Sequence, residues 1–275
     1  MYSISQLFIY PIKSLGGIEL PAAQLTDRGF QYDRRWMLVD EHNNFLTQRE
    51  YAVMSLLQTA IENNELIIYH KNDITDKVAV PLHPLPKQTS KVKVWDDECD
   101  AQYVSDSADK WFSKKLLMPC RLVYMPDAEK RKVDERYAQH NEITGFSDGY
   151  PLLMIGQASL DDLNSRLAEP LPMNRFRPNI VFTGGGPYDE DIMEHIVVNE
   201  IDLYGVKLCS RCTVTTIDQV NALKTKEPLK TFAQYRSMDS KVYFGQNILF
   251  KQKGTIQVGD AIRVIKTKPR ILAVS

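Results

Sequence analysis

Three observations predict a β-rich α+β fold. Short apolar and β-branched runs recur at close spacing through the first half of the chain, the pattern of barrels and meanders. Helical periodicity is confined to a few brief stretches. The regular strand–helix alternation of a doubly wound parallel sheet is missing.

Composition bounds the reading further. The 275 residues are 43% hydrophobic and 25% charged, with a formal net charge of −1. That is enough chain to bury a real core, in one large domain or two smaller ones. The near-zero net charge gives no electrostatic case for nucleic acid or an anionic membrane. No apolar run approaches the roughly 20 residues that span a bilayer. Met1 leads straight into Tyr2–Tyr10 with no basic region and no cleavage signal. With 4 cysteines in all, free thiols in a reducing cytoplasm are expected.

The elements follow in order. Ser5–Ile9 reads as a strand ending at Pro11, and Gly16-Gly17 turns the chain into Ile18–Leu25. Arg35–Val39 and Phe45–Gln48 flank the polar turn Glu41-His42-Asn43-Asn44, a hairpin pattern. Glu65–His70, Lys77–Pro81 and Lys91–Trp95 continue the strands. Ser107–Leu117 reads as a helix capped by Asp106 or Ser107, with Trp111, Phe112, Leu116 and Leu117 as its apolar stripe. The charged tract Tyr124–Asn141 reads as an exposed connection between two halves. Beyond it, Pro151–Ile155 is a strand, and Ser159-x-x-Asp162 looks like a capping pattern for a helix that Pro170 and Pro172 end. Strands at Asn179–Thr183, His195–Val198 and Ile201–Leu208 lead to the cysteine segment. A short helix near Pro228–Tyr235 and a closing strand pair around Asn247–Lys251 and Ala261–Ile265 complete the chain.

Cys209-Ser210-Arg211-Cys212 carries the most chemistry. A thiolate is a nucleophile and a soft metal ligand, and an adjacent guanidinium favours it over the thiol. A thioredoxin-like pair normally opens a helix, whereas Thr213 to Ile217 are β-branched and predict a strand. A zinc site lacks partners. His140-Asn141-Glu142 supplies the first half of the zinc deaminase signature, but Leu208 stands where that signature needs proline. Two thiols packed as small hydrophobes remain a competing reading. Lys13-Ser14 before Gly16-Gly17, Arg34 at the mouth of a strand, and Arg177 before another form a candidate set of anion ligands.

Seven stretches together resemble a family: Tyr10-Pro11-Ile12-Lys13-Ser14; Asp33-Arg34-Arg35-Trp36-Met37-Leu38-Val39; Leu46-Thr47-Gln48-Arg49; Phe146-Ser147-Asp148-Gly149-Tyr150-Pro151-Leu152-Leu153; Arg175-Phe176-Arg177-Pro178-Asn179-Ile180-Val181; Cys209-Ser210-Arg211-Cys212-Thr213-Val214-Thr215-Thr216; and Gly254-Thr255-Ile256 with Val258-Gly259-Asp260. They run in order over nearly the whole chain. The chain resembles the MOSC proteins, named for the molybdenum cofactor sulfurase C-terminal domain, in the form with an added N-terminal β-barrel domain. The mitochondrial amidoxime-reducing component and its bacterial relatives have this form. The resemblance implies an N-terminal β-barrel domain over residues 1–123 and a MOSC β-barrel domain with a few helices over 124–275.

The resemblance also implies a molybdenum–molybdopterin cofactor, with Cys212 as the protein's thiolate ligand to the metal. Lys13, Ser14, Arg34 and Arg177 match cofactor ligands. Ser147, Asp148 and Gly149 lie in a loop lining the same site, and Cys209 and Arg211 would orient or tune the metal ligand. The implied activity is reduction of small N-hydroxylated compounds such as amidoximes and N-hydroxylated bases; the alternative is a non-catalytic carrier of the cofactor or its sulfur. Some bacterial relatives carry a fused iron–sulfur domain, and the mitochondrial ones carry a targeting and membrane segment. The sequence shows neither after Cys212 or before Tyr10. The expectation is therefore a cytoplasmic protein with no iron–sulfur cluster, no membrane contact and a separate ferredoxin- or flavin-type electron donor.

Overall fold

Alternation decides which face of each strand is buried. Along Ile201–Ser210, Ile201, Leu203 and Gly205 are buried while Asp202, Tyr204 and Val206 are more exposed. Met193–Val198 alternates similarly. Strands with one apolar face close into a barrel when no edge is left over. In this computed structural model, which describes residues 1–85, 87 and 89–272, that is what happens. The order is Leu152–Gly156, Ile180–Thr183, Tyr2–Ile9, Ala261–Thr267, Met193–Val198, Ile201–Ser210 and Lys241–Phe250, which pairs back to the first. The N-terminal strand thus lies between strands from the second half. Leu7, Ile196, Leu203 and Ile248 fill the core with their neighbours.

Leu152–Gly156 and Ile180–Thr183 run parallel, which requires a crossover rather than a tight hairpin. The helix Gln157–Ser165 provides it. The expected Ser159 cap is not used there. The helix starts from Gly156, and the Ser159 hydroxyl instead donates to Glu190 at 2.7 Å and accepts the Tyr188 N–H at 2.7 Å. A tertiary partner has outcompeted the local cap.

The N-terminal unit is built from two smaller sheets. One runs Trp36–Val39, Arg121–Tyr124, Asp97–Tyr103, Thr89–Val94; the other is the meander Leu57–Glu62, Glu65–His70, Asp73–Pro81. Trp36, Leu57, Ile68, Phe112 and Leu122 share its core. The helix here is Asp106–Leu116, one residue earlier than the sequence suggests, because Ser105 Oγ accepts the Ala108 N–H at 3.2 Å. Its buried stripe is Ala108, Phe112 and Leu116, while Leu117 takes the left-handed cap and is 91% exposed. Proline divides the expected Ile18–Leu25 strand into Ile18–Leu20 and Ala22–Leu25. After the polar turn the expected Phe45–Gln48 strand is reduced to an isolated bridge of Phe45 to Val39, with the Leu46 N–H donating to Leu38 O at 2.8 Å. The strands Lys241–Phe250 and Ala261–Thr267 both form but do not pair with each other, because Met193–Val198 and Ile201–Ser210 lie between them. No helix among the described residues is long and apolar enough to cross a membrane.

Candidate functional site: a cationic cleft with two thiols

The barrel and the N-terminal unit meet at a cleft of about 260 Å³. Lys13, Ser14, Arg34, Ser147, Asp148, Gly149, Arg177, Cys209, Arg211 and Cys212 all line it. Every candidate site residue named from the sequence is therefore in one place.

Backbone pairing between loops brings them there. The Lys13 N–H donates to Trp36 O, the Arg34 N–H to Tyr10 O, and the Phe146 N–H to Arg34 O at 2.7 Å. Gly145 permits the last contact, since a Cβ there would lie 2.6 Å from Arg34 O. Ser14, Arg34 and Arg177 have φ of 68°, 47° and 56°. These three non-glycine residues take the sparsely populated left-handed region and all line the one cleft.

The cations are held by short, named contacts. Lys13 Nζ donates to Phe146 O at 2.9 Å and to Asp148 Oδ1 at 2.5 Å, beneath the rings of Phe45 and Trp95. Burial pushes the Lys13 ammonium below its usual range, against the pull of Asp148. Burial works to raise the Asp148 carboxyl, but Lys13, the Trp95 Nε1–H at 3.0 Å and Arg49 outweigh it and hold it well below the usual range. Arg34 grips both oxygens of Asp33 at 2.7 Å and bonds Asn179 Oδ1 at 3.1 Å. Arg177 donates to Leu15 O at 2.6 Å. Both guanidiniums pack on the Tyr10 ring, their centres 4.3 and 4.2 Å from its centroid. Burial and the nearby Arg34 charge bring Arg177 down to about 10.

The thiols sit at the end of Ile201–Ser210. Neither is in a disulfide. Arg211 NH1 donates to Cys209 Sγ at 3.1 Å, and its NH2 donates to Phe176 O at 2.7 Å. Burial raises the Cys209 thiol, and Arg211 opposes that rise. The Cys212 thiol is partly exposed and has no hydrogen-bond partner among the described residues. The segment after it is not the expected strand. Thr213–Thr216 forms a 3₁₀ turn with Cys212 at its N-cap, in which Thr215 Oγ1 donates to Cys212 O at 2.9 Å and Thr216 Oγ1 to Thr213 O at 2.7 Å. The threonine hydroxyls satisfy the turn's own carbonyls, which overrides β-propensity.

Several residues in or behind the cleft were given no site role by the sequence reading, although Arg49 ends one of the family stretches. Trp95 and Arg49 stack at 4.2 Å. Lys207 lies over the Tyr137 and Tyr150 rings. Arg131 is 6% exposed although it stands in the tract read as an exposed connection. It donates from NH1 to Gly145 O at 2.9 Å and Ser147 O at 2.6 Å, and from Nε to Asp97 at 2.7 Å. Nothing local distinguishes Arg131 from its charged neighbours, so it had no sequence signal.

Lys13, Arg34, Arg49, Arg177, Lys207 and Arg211 line the cleft, against the single lining carboxylate Asp148 and Asp33 behind Arg34. Arg49 Nε, Arg211 Nε and the Tyr150 hydroxyl are buried with no hydrogen-bond partner among the described residues. Orphaned donors beside excess positive charge fit an anionic ligand rich in acceptors. A pterin carrying a phosphate is such a ligand. Among the described residues, no group of three or more His, Cys, Asp or Glu side chains could hold a metal ion. A donor set of one free thiol beside anion ligands suits a metal that arrives with its own organic cofactor and takes a single ligand from the protein.

Comparison with known proteins gives two domain matches: the MOSC N-terminal beta barrel domain over residues 1–119 and the MOSC domain over residues 141–263. The chain is 32% identical to mitochondrial amidoxime-reducing component 1 of Mus musculus, over 96% of this chain and 82% of that protein. It is 30% identical to the Homo sapiens protein of the same name, over 96% and 83%. It is also 31% identical to the molybdenum cofactor sulfurase of Oryza sativa subsp. japonica, over 88% of this chain and 32% of that protein.

Proposed function

Because the chain belongs to the MOSC family, with a MOSC N-terminal β-barrel domain followed by a MOSC domain, we propose that its cleft holds a molybdenum–molybdopterin cofactor and reduces N-hydroxylated compounds. Electrons come from a separate protein, and the reaction takes place in the cytoplasm. The observation that carries this reading is the meeting of the partly exposed Cys212 with Lys13, Arg34 and Arg177 in one cleft. The proposed domains, 1–123 and 124–275, share the site. The first gives Lys13, Ser14 and Arg34; the second gives the loop 147–149, Arg177 and the thiols.

In this reading the Cys212 thiolate is the protein's ligand to molybdenum. Arg34 and Arg177, both packed on Tyr10, would hold the phosphate with Ser14. Lys13, tied to Asp148, and the Ser147–Gly149 loop bind the polar edge of the pterin. Arg211 anchors Cys209 behind the metal ligand, where both orient the thiolate. The cofactor, when bound, supplies two-electron reduction of the N–O bond. The chain's share is to bind and orient it and to keep the metal face open to a small substrate.

Protein from a cofactor-competent host is expected to carry molybdenum and pterin, and to turn over benzamidoxime with a reduced viologen. Cys212→Ala loses metal and turnover together, and Cys209→Ala does so more mildly. Metal retained in Cys212→Ala refutes the ligand assignment. A second reading, a non-catalytic carrier of the cofactor or its sulfur, is favoured by the similarity to a molybdenum cofactor sulfurase. It is distinguished by a metal-loaded protein that gives no turnover.

A further inference from the structure

The turn that follows the thiols displays apolar side chains to solvent on a rigid base. Val220 and Leu223 are 74% and 64% exposed. The turn beneath them is heavily braced. Asp218 Oδ1 accepts the Val220 and Asn221 N–H groups at 2.8 and 3.1 Å, and the Asp218 N–H donates to Leu223 O at 2.8 Å. Its ends are joined by the Ile217–Lys224 bridge. Arg175, buried, holds the other Asp218 oxygen at 2.9 Å. Lys71 Nζ caps Gln219 O at 2.6 Å, and Gln219 pairs with Gln48 in the interior. A loop this well fixed has already met the ordering cost of presenting its two apolar tips.

Around these tips the charge is positive. Lys224, Lys226 and Lys230 are exposed and none has an ion-pair partner among the described residues. The half-buried Glu227 accepts the Thr231 N–H at 3.0 Å, and the exposed Glu50 follows Arg49 in the chain, so lysines outnumber the nearby acids. The patch also borders the cleft. Lys224 Nζ donates to Arg49 O at 2.8 Å, and Arg49 lines the cleft with Val214. The chain from Cys212 reaches the patch through the single 3₁₀ turn Thr213–Thr216.

We infer that this patch, Val220 and Leu223 with the exposed Lys224, Lys226 and Lys230 that follow them in the chain, is the docking surface for an acidic electron-transfer protein. The inference rests on the proposed reductase reading, since only a reductase needs a donor at this cleft. Electron transfer slows steeply with distance, so a donor must dock beside the site rather than on the far side of the barrel. Two rigid apolar tips give a short-lived complex its contact, and three ammonium groups without carboxylate partners among the described residues steer an acidic partner onto it. Small transient redox interfaces are built this way.

The test uses the full cofactor-loaded chain, benzamidoxime, and two donors: a reduced viologen and an enzymatically reduced acidic [2Fe–2S] ferredoxin. In the variants Val220→Asp and Lys226→Glu/Lys230→Glu, kcat/KM with ferredoxin is expected to fall about tenfold at low salt, with the gap between variants and native narrowing as salt screens the charges. Turnover with viologen stays level. Calorimetric titration of ferredoxin against each protein is expected to show the same loss of affinity. Unchanged ferredoxin affinity in both variants, failure of the native chain to bind ferredoxin, or an equal loss with both donors overturns the docking surface. A native chain that binds ferredoxin at this patch yet turns over with neither donor instead overturns the reductase reading.

Discussion

Arg131 offers a sharp test of how the cleft is held. Its guanidinium is almost wholly buried and bonds Gly145 O at 2.9 Å and Ser147 O at 2.6 Å. These carbonyls bracket Phe146, whose own carbonyl accepts from Lys13. Arg131→Leu removes both bonds. A hydrogen bond to a charged group contributes about 1.5–3 kcal/mol. The pair with Asp97 adds little, because Asp97 is 50% exposed. Two orphaned carbonyls, partly offset by the apolar replacement, give a loss of roughly 3–5 kcal/mol. For a chain of this size that is a fall in Tm of roughly 6 °C or more. Arg131→Lys keeps the charge but not the fork, and is expected to fall between. Urea unfolding gives the stability, and metal analysis of the same samples gives the cofactor content, which should drop with the loosened Ser147–Gly149 loop. A loss under about 1 kcal/mol with unchanged molybdenum would show that the loop does not depend on Arg131.

Two further outcomes follow from the buried charges. Glu190 is fully buried, and burial, then the adjacent Asp191, pushes its carboxyl from 4.5 up to about 7. Between those values the unfolded chain releases a proton that the folded chain keeps, so stability falls as pH rises from about 4.5 to 7, by about 3 kcal/mol, and is level above. Glu190→Gln should flatten that slope, as measured by urea unfolding at pH 5 and pH 7.5; an unchanged slope would place the titration elsewhere. Arg177→Gln should lower bound pterin and molybdenum with a small change in stability. Arg34→Gln should lower both and also cost roughly 3–5 kcal/mol, because it strands the buried Asp33 carboxylate; metal analysis beside denaturation separates the two.

Legibility followed the range of the interaction. Glu65–His70 was readable because its signal is a local run of β-favouring residues, Leu66-Ile67-Ile68-Tyr69, and it forms as expected. Thr213–Thr216 misled because β-branching favours a strand only until the hydroxyls find nearby carbonyls. Ser159 misled because its cap pattern was local while its partners, Glu190 and Tyr188, come from another loop. Trp95 and Lys207 were silent, and Arg49 stood in a family stretch without a site role, because such residues join a site only through what lies across from them.

The sequence by itself determined the β-rich class, the family motifs and the identity of the thiols and cations. It did so because residue type and short-range periodicity are written along the chain. Only the tertiary structure decided that Lys13, Arg34, Arg177 and Cys212 share one cleft, that Tyr2–Ile9 is a stave of the second half's barrel, and that Arg131 is a buried clamp. Those facts depend on barrel closure and loop-to-loop hydrogen bonds between residues far apart in sequence, and no local pattern encodes which distant groups will meet.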